Sequence, residues 1–305
     1  MGDTKIPWAD KTWSPVTGCT KVSPGCAHCY AEAMSLRFGW SKHPWTPEHA
    51  AENVVLHPAR LDYPLHLRKP QRIFCCSMGD LFHEAVPIEF IRAVFYVMER
   101  ASQHTFLVLT KRIERAAAHW KEYLLYPPPD GEAAVNFHGD AMAHWFAGRK
   151  LDVTMTYKWP PNVHLGVSVE NQAMADERIP KLLATPAAKR FVSAEPLLGA
   201  VDLTMIKLGK REGRPGKFNA YLDAMACTET DEMGFERKLA EKHRLHQVIV
   251  GGESGPGHRD MDLAWVQAIS DQCEAAGVAY FGKSLGGPTQ KAPLPGHLGR
   301  RELVP

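Results

Sequence analysis

Three cysteines, Cys19, Cys26 and Cys29, stand in a C-x6-C-x2-C pattern within Gly18-Cys19-Thr20-Lys21-Val22-Ser23-Pro24-Gly25-Cys26-Ala27-His28-Cys29-Tyr30. The short pair forms a clip, and the Gly and Pro residues let the longer arm wrap, so three thiolates can converge on one centre. That set is one ligand short of a closed tetrahedral zinc or iron–sulfur site. A 4Fe–4S cubane held by three thiolates leaves one iron open to an outside ligand, as radical chemistry on S-adenosylmethionine requires. The same spacing also suits a structural zinc site whose fourth ligand is His28 or another histidine, and it suits unrelated thiols. A helix over residues 30–37 would turn its amide end and positive dipole toward an anionic centre.

The elements that must position this loop recur along the chain. Short apolar, β-rich runs lie at 72–77, 105–109, 162–167, 189–192, 247–250 and 278–281, with a weaker one at 12–17. They are continuous rather than alternating, which predicts strands covered on both faces. Helical spacing occupies 87–98, 173–183 and 263–276. Repeated strand–helix units predict a parallel α/β sheet with right-handed crossovers. About seven such units favour a partial or complete TIM-type barrel over an open doubly wound sheet. The chain is read as one domain over 1–305. Residues 121–161 and 205–244 are read as insertions into loops, the basic stretch 207–217 as a solvated loop with a phosphate-contacting arm as the alternative, and 286–305 as a C-terminal surface wrap.

Chemistry in parallel α/β folds gathers at the carboxyl ends of strands. Each predicted strand here ends in residues able to bind or react, although helix caps also call for Ser, Asp and Asn there. The set is Cys19, Ser77 and Asp80, Lys111, Ser168 and Glu170, Ser193 and Glu195, Glu253 and Ser254, and Lys283. For S-adenosylmethionine, Asp80 would accept from the amine and Lys111 would meet the carboxylate. Ser168, Glu170 and Asn171 would serve the ribose, His28 the adenine, and Gly251-Gly252 a close backbone approach. Glu195, Glu253 and Lys283 would then be left for substrate or for the far side of the cofactor.

The 305 residues, 45% hydrophobic, are enough for a large core. A formal charge of +2 argues against a general polyanion binder while leaving room for a local basic groove. No apolar run reaches the roughly 20 residues of a membrane span, and the first residues lack the apolar core of a signal peptide. Seven cysteines, three of them clustered, suit a reducing cytoplasm better than a disulfide framework. Cys75 and Cys76 read as buried thiols.

Six stretches carry a family resemblance: Thr12-Trp13-Ser14-Pro15-Val16-Thr17-Gly18-Cys19 through Cys29-Tyr30-Ala31-Glu32, Cys76-Ser77-Met78-Gly79-Asp80-Leu81-Phe82-His83, Val108-Leu109-Thr110-Lys111-Arg112, Leu165-Gly166-Val167-Ser168-Val169-Glu170-Asn171, Phe191-Val192-Ser193-Ala194-Glu195-Pro196-Leu197-Leu198-Gly199 and Val248-Ile249-Val250-Gly251-Gly252-Glu253-Ser254-Gly255. Together they resemble the phage and bacterial three-cysteine-motif proteins, which are radical-SAM-like, over most of the chain from Trp8 to Lys283. The resemblance implies a partial TIM-type barrel with an iron–sulfur cluster. The cysteine spacing departs from the C-x3-C-x2-C of standard radical-SAM enzymes. Phe281-Gly282-Lys283-Ser284-Leu285 stands where the family has a Phe-Lys-aromatic ending.

The expectation is therefore an iron–sulfur enzyme that binds S-adenosylmethionine and an external electron donor. By analogy with a phage context, its substrate would be a small molecule or a nucleobase, free or in DNA. A zinc-binding structural or regulatory protein is the second class, and a redox or DNA-repair cluster protein the third.

Overall fold

A computed structural model gives the fold and describes residues 2–118, 144–146, 159–212, 217–232, 234, 236–239, 244–288 and 292–303. The chain forms two compact units. The first comprises Met1–Val22, Cys29–Leu165 and Thr185–Ala188; the second comprises Ser23–His28, Gly166–Ala184 and Lys189–Pro305.

The first unit contains β1 (Gly2–Asp3), β2 (Lys11–Trp13), β3 (Val16–Thr17), α1 (Tyr30–Arg37), α2 (Ala50–Asn53), β4 (Val55–Leu56), β5 (Arg72–Cys75), α3 (Ile88–Arg100), β6 (Thr105–Thr110) and the start of β7 (Val163–Ser168). The second holds the rest of β7, α4 (Gln172–Ala184), β8 (Lys189–Ala194), β9 (Ile206–Glu212), β10 (Lys217–Asp223), β11 (Thr228–Asp231), β12 (Glu236–Lys238), β13 (Gln247–Gly251), α5 (Leu263–Ala276) and β14 (Ala279–Ser284). The large sheet has the order β1-β2-β5-β6-β7-β8-β13-β14. Pairs β2–β5, β5–β6, β8–β13 and β13–β14 are parallel, and β1 lies antiparallel to β2. Mixed α/β architecture around a mostly parallel sheet is thus as the apolar runs predict.

Every residue of β7 and β13 is buried, the condition that a continuous apolar run anticipates. Helix α3 begins one residue after Pro87, which serves as its N-cap. Its buried face includes Phe90, Ile91, Val94, Phe95, Val97 and Met98, each contributing about 1.5–3 kcal/mol on removal from water. Asp262 opens α5 by accepting the Ala264 amide, and Gly277, at φ 61°, closes it. A left-handed residue at that position is what glycine supplies without a steric cost.

One stretch differs from expectation. Among the described residues of the insertion at 205–244, β9–β12 form a four-stranded antiparallel sheet in the order β12-β11-β10-β9, in place of the solvated loop expected of the basic stretch. The stretch 207–212 is strand, and β9 pairs with β10 from Lys217↔Glu212 to Leu222↔Ile206. Ile206, Ala220, Leu222 and Glu229 are buried while Tyr221, Thr228 and Thr230 are only half-buried, so one face packs and the lysines ride on strands. The expected insertion at 121–161 lies largely outside the described residues. Its described parts, His144–Phe146 and Trp159, put aromatic rings on α3: Trp145 on Phe90, Phe146 on Tyr96 and Trp159 on Phe95, with centroids 4.9, 5.9 and 5.4 Å apart.

The C-terminal wrap pairs with β14. The Gly282 amide donates to Arg300 O at 2.7 Å, the Glu302 amide to Tyr280 O at 2.9 Å, and Phe281 forms an antiparallel bridge with Arg301. A Cβ at Gly282 would collide with the Leu298 carbonyl. Gly282→Ala is therefore expected to lower stability by about 1–3 kcal/mol, the usual scale of overpacking, and to expose residues 292–303 to protease. Urea unfolding and limited proteolysis check it; an unchanged midpoint with a protected tail would contradict the close approach.

Candidate functional site

The cysteine loop is divided between the two units: Cys19 and Cys29 belong to the first and Cys26 to the second. All three are half-buried and outside any disulfide. Cys29 is the N-cap residue of α1, as the helix expected at 30–37 requires, and its carbonyl accepts the Ala33 amide.

In the first unit, Cys19 meets a guanidinium. Arg112 Nη1 lies 3.3 Å from Cys19 Sγ and 3.4 Å from Asp80 Oδ2. Its Nη2 donates to Thr20 O and Oγ1 at 3.2 and 2.8 Å, and its Nε to the Glu84 carboxylate at 2.9–3.1 Å. The fork thus directs all of its donor nitrogens at named acceptors. Burial opposes the charge of Arg112, but Asp80, Cys19 and Glu84 outweigh it and hold its proton more tightly than usual. A cation against a sulfur favours the thiolate, the form that ligates metal.

Asp80 is the bracket beneath this arrangement. Its carboxylate accepts from the Phe82 amide at 3.0 Å, from Thr110 Oγ1 at 2.8 and 3.0 Å, from the Lys111 amide at 3.1 Å and from Arg112. Thr110 Oγ1 also accepts the Arg112 amide at 2.9 Å. The turn after β6 is therefore tied to the turn after β5. Tyr30, the first residue of α1, donates its hydroxyl to Ser77 O at 2.7 Å.

In the second unit, two glutamates hold the middle of the loop. Glu170, fully buried after β7, accepts from Ser23 Oγ at 2.7 Å and from Arg178 Nη1 at 3.1 Å. Arg178, on α4, also donates to Ser168 O at 2.9 Å. The Glu170 side chain lies across Gly25, where any Cβ would strike it. Ser23 Oγ is also 3.6 Å from Cys26 Sγ. Glu253, after β13, receives Arg259 bidentately, Nε to Oε2 at 2.9 Å and Nη2 to Oε1 at 2.5 Å, and also accepts the Arg259 amide. His28 Nδ1 is 3.0 Å from Glu253 Oε2, and Arg259 Nη2 reaches Pro24 O at 3.0 Å. Burial alone would raise the Glu253 carboxyl; Arg259 and His28 outweigh it and bring the pKa to about 2.

Glu195 and Lys283, at the ends of β8 and β14, form an ion pair at 2.5 Å with Ser193 Oγ 3.5 Å from the carboxylate. Gly251 lies against Glu195, and Gly252 against the Leu285 carbonyl; neither position has room for a Cβ. Asn171 Oδ1 accepts the Met174 amide at 3.1 Å at the start of α4, a capping contact.

Sequence reasoning nominated the acids and missed their partners. Arg112, Arg178, Arg259, Thr110 and Ser23 carry the contacts around the loop. Lys111, expected to supply the cation, contributes its amide to Asp80, while the neighbouring Arg112 supplies the buried charge. The usable signal is the rule that a buried carboxylate needs a fixed cation. The glycines expected to admit a ligand are tight against the chain's own atoms.

A family model described as "Protein of unknown function (DUF5131)" matches residues 3–300. No curated protein and no solved structure matches the chain.

Arg112→Ala leaves the buried Asp80 carboxylate without its guanidinium and is expected to cost about 3–5 kcal/mol, read by denaturant unfolding; a loss no larger than that of a surface substitution would refute the bracket. Glu253 also predicts a pH dependence. Its folded pKa is depressed from 4.5 to about 2, so its contribution is present above pH 4.5 and is lost as pH falls toward 2. Unfolding free energy should fall more steeply across that window in the wild type than in Glu253→Gln; parallel curves would contradict it.

Proposed function

The chain belongs to the DUF5131 family, whose description assigns no activity, and we propose from its own residues that it is an iron–sulfur enzyme of radical-SAM type. The observation that carries this reading is the donor set. Three half-buried cysteines in one loop are outside any disulfide, one of them meeting a buried guanidinium at 3.3 Å and another near a serine hydroxyl at 3.6 Å. Soft thiolates with hydrogen-bonding neighbours suit an iron–sulfur cluster. The residues that would hold it are Cys19, Cys26 and Cys29. With S-adenosylmethionine bound, such a cluster would pass one electron from an external donor into the C5′–S bond, releasing methionine and a 5′-deoxyadenosyl radical able to take hydrogen from substrate.

The chain's own residues do the holding and orienting. Arg112 sets its guanidinium 3.3 Å from Cys19 Sγ, and Asp80 fixes Arg112. Glu170 and Glu253 fix Ser23, Gly25 and His28 on either side of Cys26. Glu195 and Lys283 are the ion pair we assign to substrate. The mostly parallel sheet is read as a partial TIM-type barrel, the substrate as a nucleobase or similar small molecule, and the setting as cytoplasmic.

Anaerobic reconstitution tests this directly. The wild type should take up about four irons with matching sulfide and should release 5′-deoxyadenosine from S-adenosylmethionine under dithionite. Cys19→Ala, Cys26→Ala and Cys29→Ala should each lose both. Cys75→Ala and Cys273→Ala should keep both, because those thiols are buried and their pKa values are pushed up, that of Cys273 to about 12. A colourless protein with stoichiometric zinc, or iron retained in Cys26→Ala, would overturn the proposal.

A further inference from the structure

A second group of donor atoms lies in the first unit, outside the cysteine loop. Among the described residues, His43, His49 and Glu52 bring their ligand atoms within 4.8 Å of one another. His43 Nε2 is 3.2 Å from Glu52 Oε2, and His49 Nδ1 is 3.5 Å from Glu52 Oε1. The two imidazoles stack with centroids 4.2 Å apart and planes 13° from parallel.

We propose that His43, His49 and Glu52 form a binding site for a divalent first-row transition ion such as zinc. Bonds of about 2.0–2.1 Å in a tetrahedral site put neighbouring ligand atoms about 3.3–3.4 Å apart. The two nitrogen–oxygen separations, each to a different oxygen of Glu52, are close to that edge, and one of the stacked rings must turn about its Cβ–Cγ bond to bring its in-plane lone pair onto a shared ion. Two imidazoles and one carboxylate are a borderline-hard set that suits zinc, nickel or ferrous iron. The cysteine loop instead offers soft thiolates.

The backbone that presents these donors is fixed by buried contacts of its own. His49 ends a 3-10 turn, Pro47–His49, and is the N-cap residue of α2. Glu52, three residues on, shares its helical face. His43 sits in a loop pinned through Trp45, whose amide donates to Glu32 Oε1 at 2.8 Å and whose indole donates to Ser41 Oγ at 3.0 Å. Asn53 Nδ2 donates to Pro44 O at 2.9 Å, and both Trp45 and Asn53 are buried. Glu32 is in turn paired with Lys21 at 3.0 Å. The donors themselves are half-exposed to exposed, so an ion can enter from solvent and water can complete its coordination.

Titration of the full chain with cobalt(II) alone tests the site, because its spectrum reports the ligand type. One equivalent should bind with ligand-field absorption and no sulfur-to-cobalt charge-transfer band. That component should weaken in His43→Ala, His49→Ala and Glu52→Gln by more than the roughly tenfold that loss of even an outer partner costs. It should be retained in Cys26→Ala, and circular dichroism should show the variants folded. Cobalt uptake showing only thiolate character, or thiol-independent uptake unchanged in folded His49→Ala and Glu52→Gln, would overturn the proposal. Because the cysteines are read out separately, failure here leaves the iron–sulfur reading standing, and the converse holds.

Discussion

A carboxylate withdrawn completely from water must be met by a fixed cation, and Glu170 imposes that condition on the second unit. Its side chain is fully buried and Arg178 is 1% exposed. The pairing sets the rotational phase of α4, since Arg178 must point back at the end of β7. It also fixes residues 23–25, because the remaining carboxylate oxygen is taken by Ser23 and the side chain fills the space that Gly25 leaves open. Glycine there follows from the position of an acid far away in sequence.

The first unit solves the same problem with a single arginine. Arg112 serves Asp80, Glu84, Thr20 and Cys19 together, which a lysine could not do with three donors on one nitrogen. The Glu253–Arg259 pair differs in degree: its arginine is about a third exposed. Solvent there shares the solvation of the charge, and the pair's bidentate geometry contributes direction as well as energy. Buried arginines thus steady the cysteine loop at both of its parts, though only the acids stood out in the sequence.

Burial on two faces explains what could be read in advance. β6, β7, β8 and β13 are continuous apolar runs because each is covered on both sides. α3 shows its helical spacing because Phe90, Ile91, Val94, Phe95, Val97 and Met98 line one buried face. β9–β12 escaped notice for the opposite reason: buried Ile206, Ala220, Leu222 and Glu229 alternate with half-buried or exposed residues, and β12 is exposed throughout. Partner choice escaped for a different reason. Whether Lys111 or Arg112 enters the interior depends on the direction in which the chain leaves β6, and Arg178 lies eight residues beyond the acid it neutralises. Neither distance nor residue type shows such a match until the fold is known.

The wrapped C-terminus also bears on how the molecule behaves among its own copies. β14 ends the strand order, and its outward amide and carbonyl groups are occupied by Arg300, Glu302 and the Arg301 bridge. A parallel sheet whose last strand lay bare would offer a template for another chain's backbone. Residues 300–302 block that template, so a chain lacking them would turn this end of the sheet into an adhesive one.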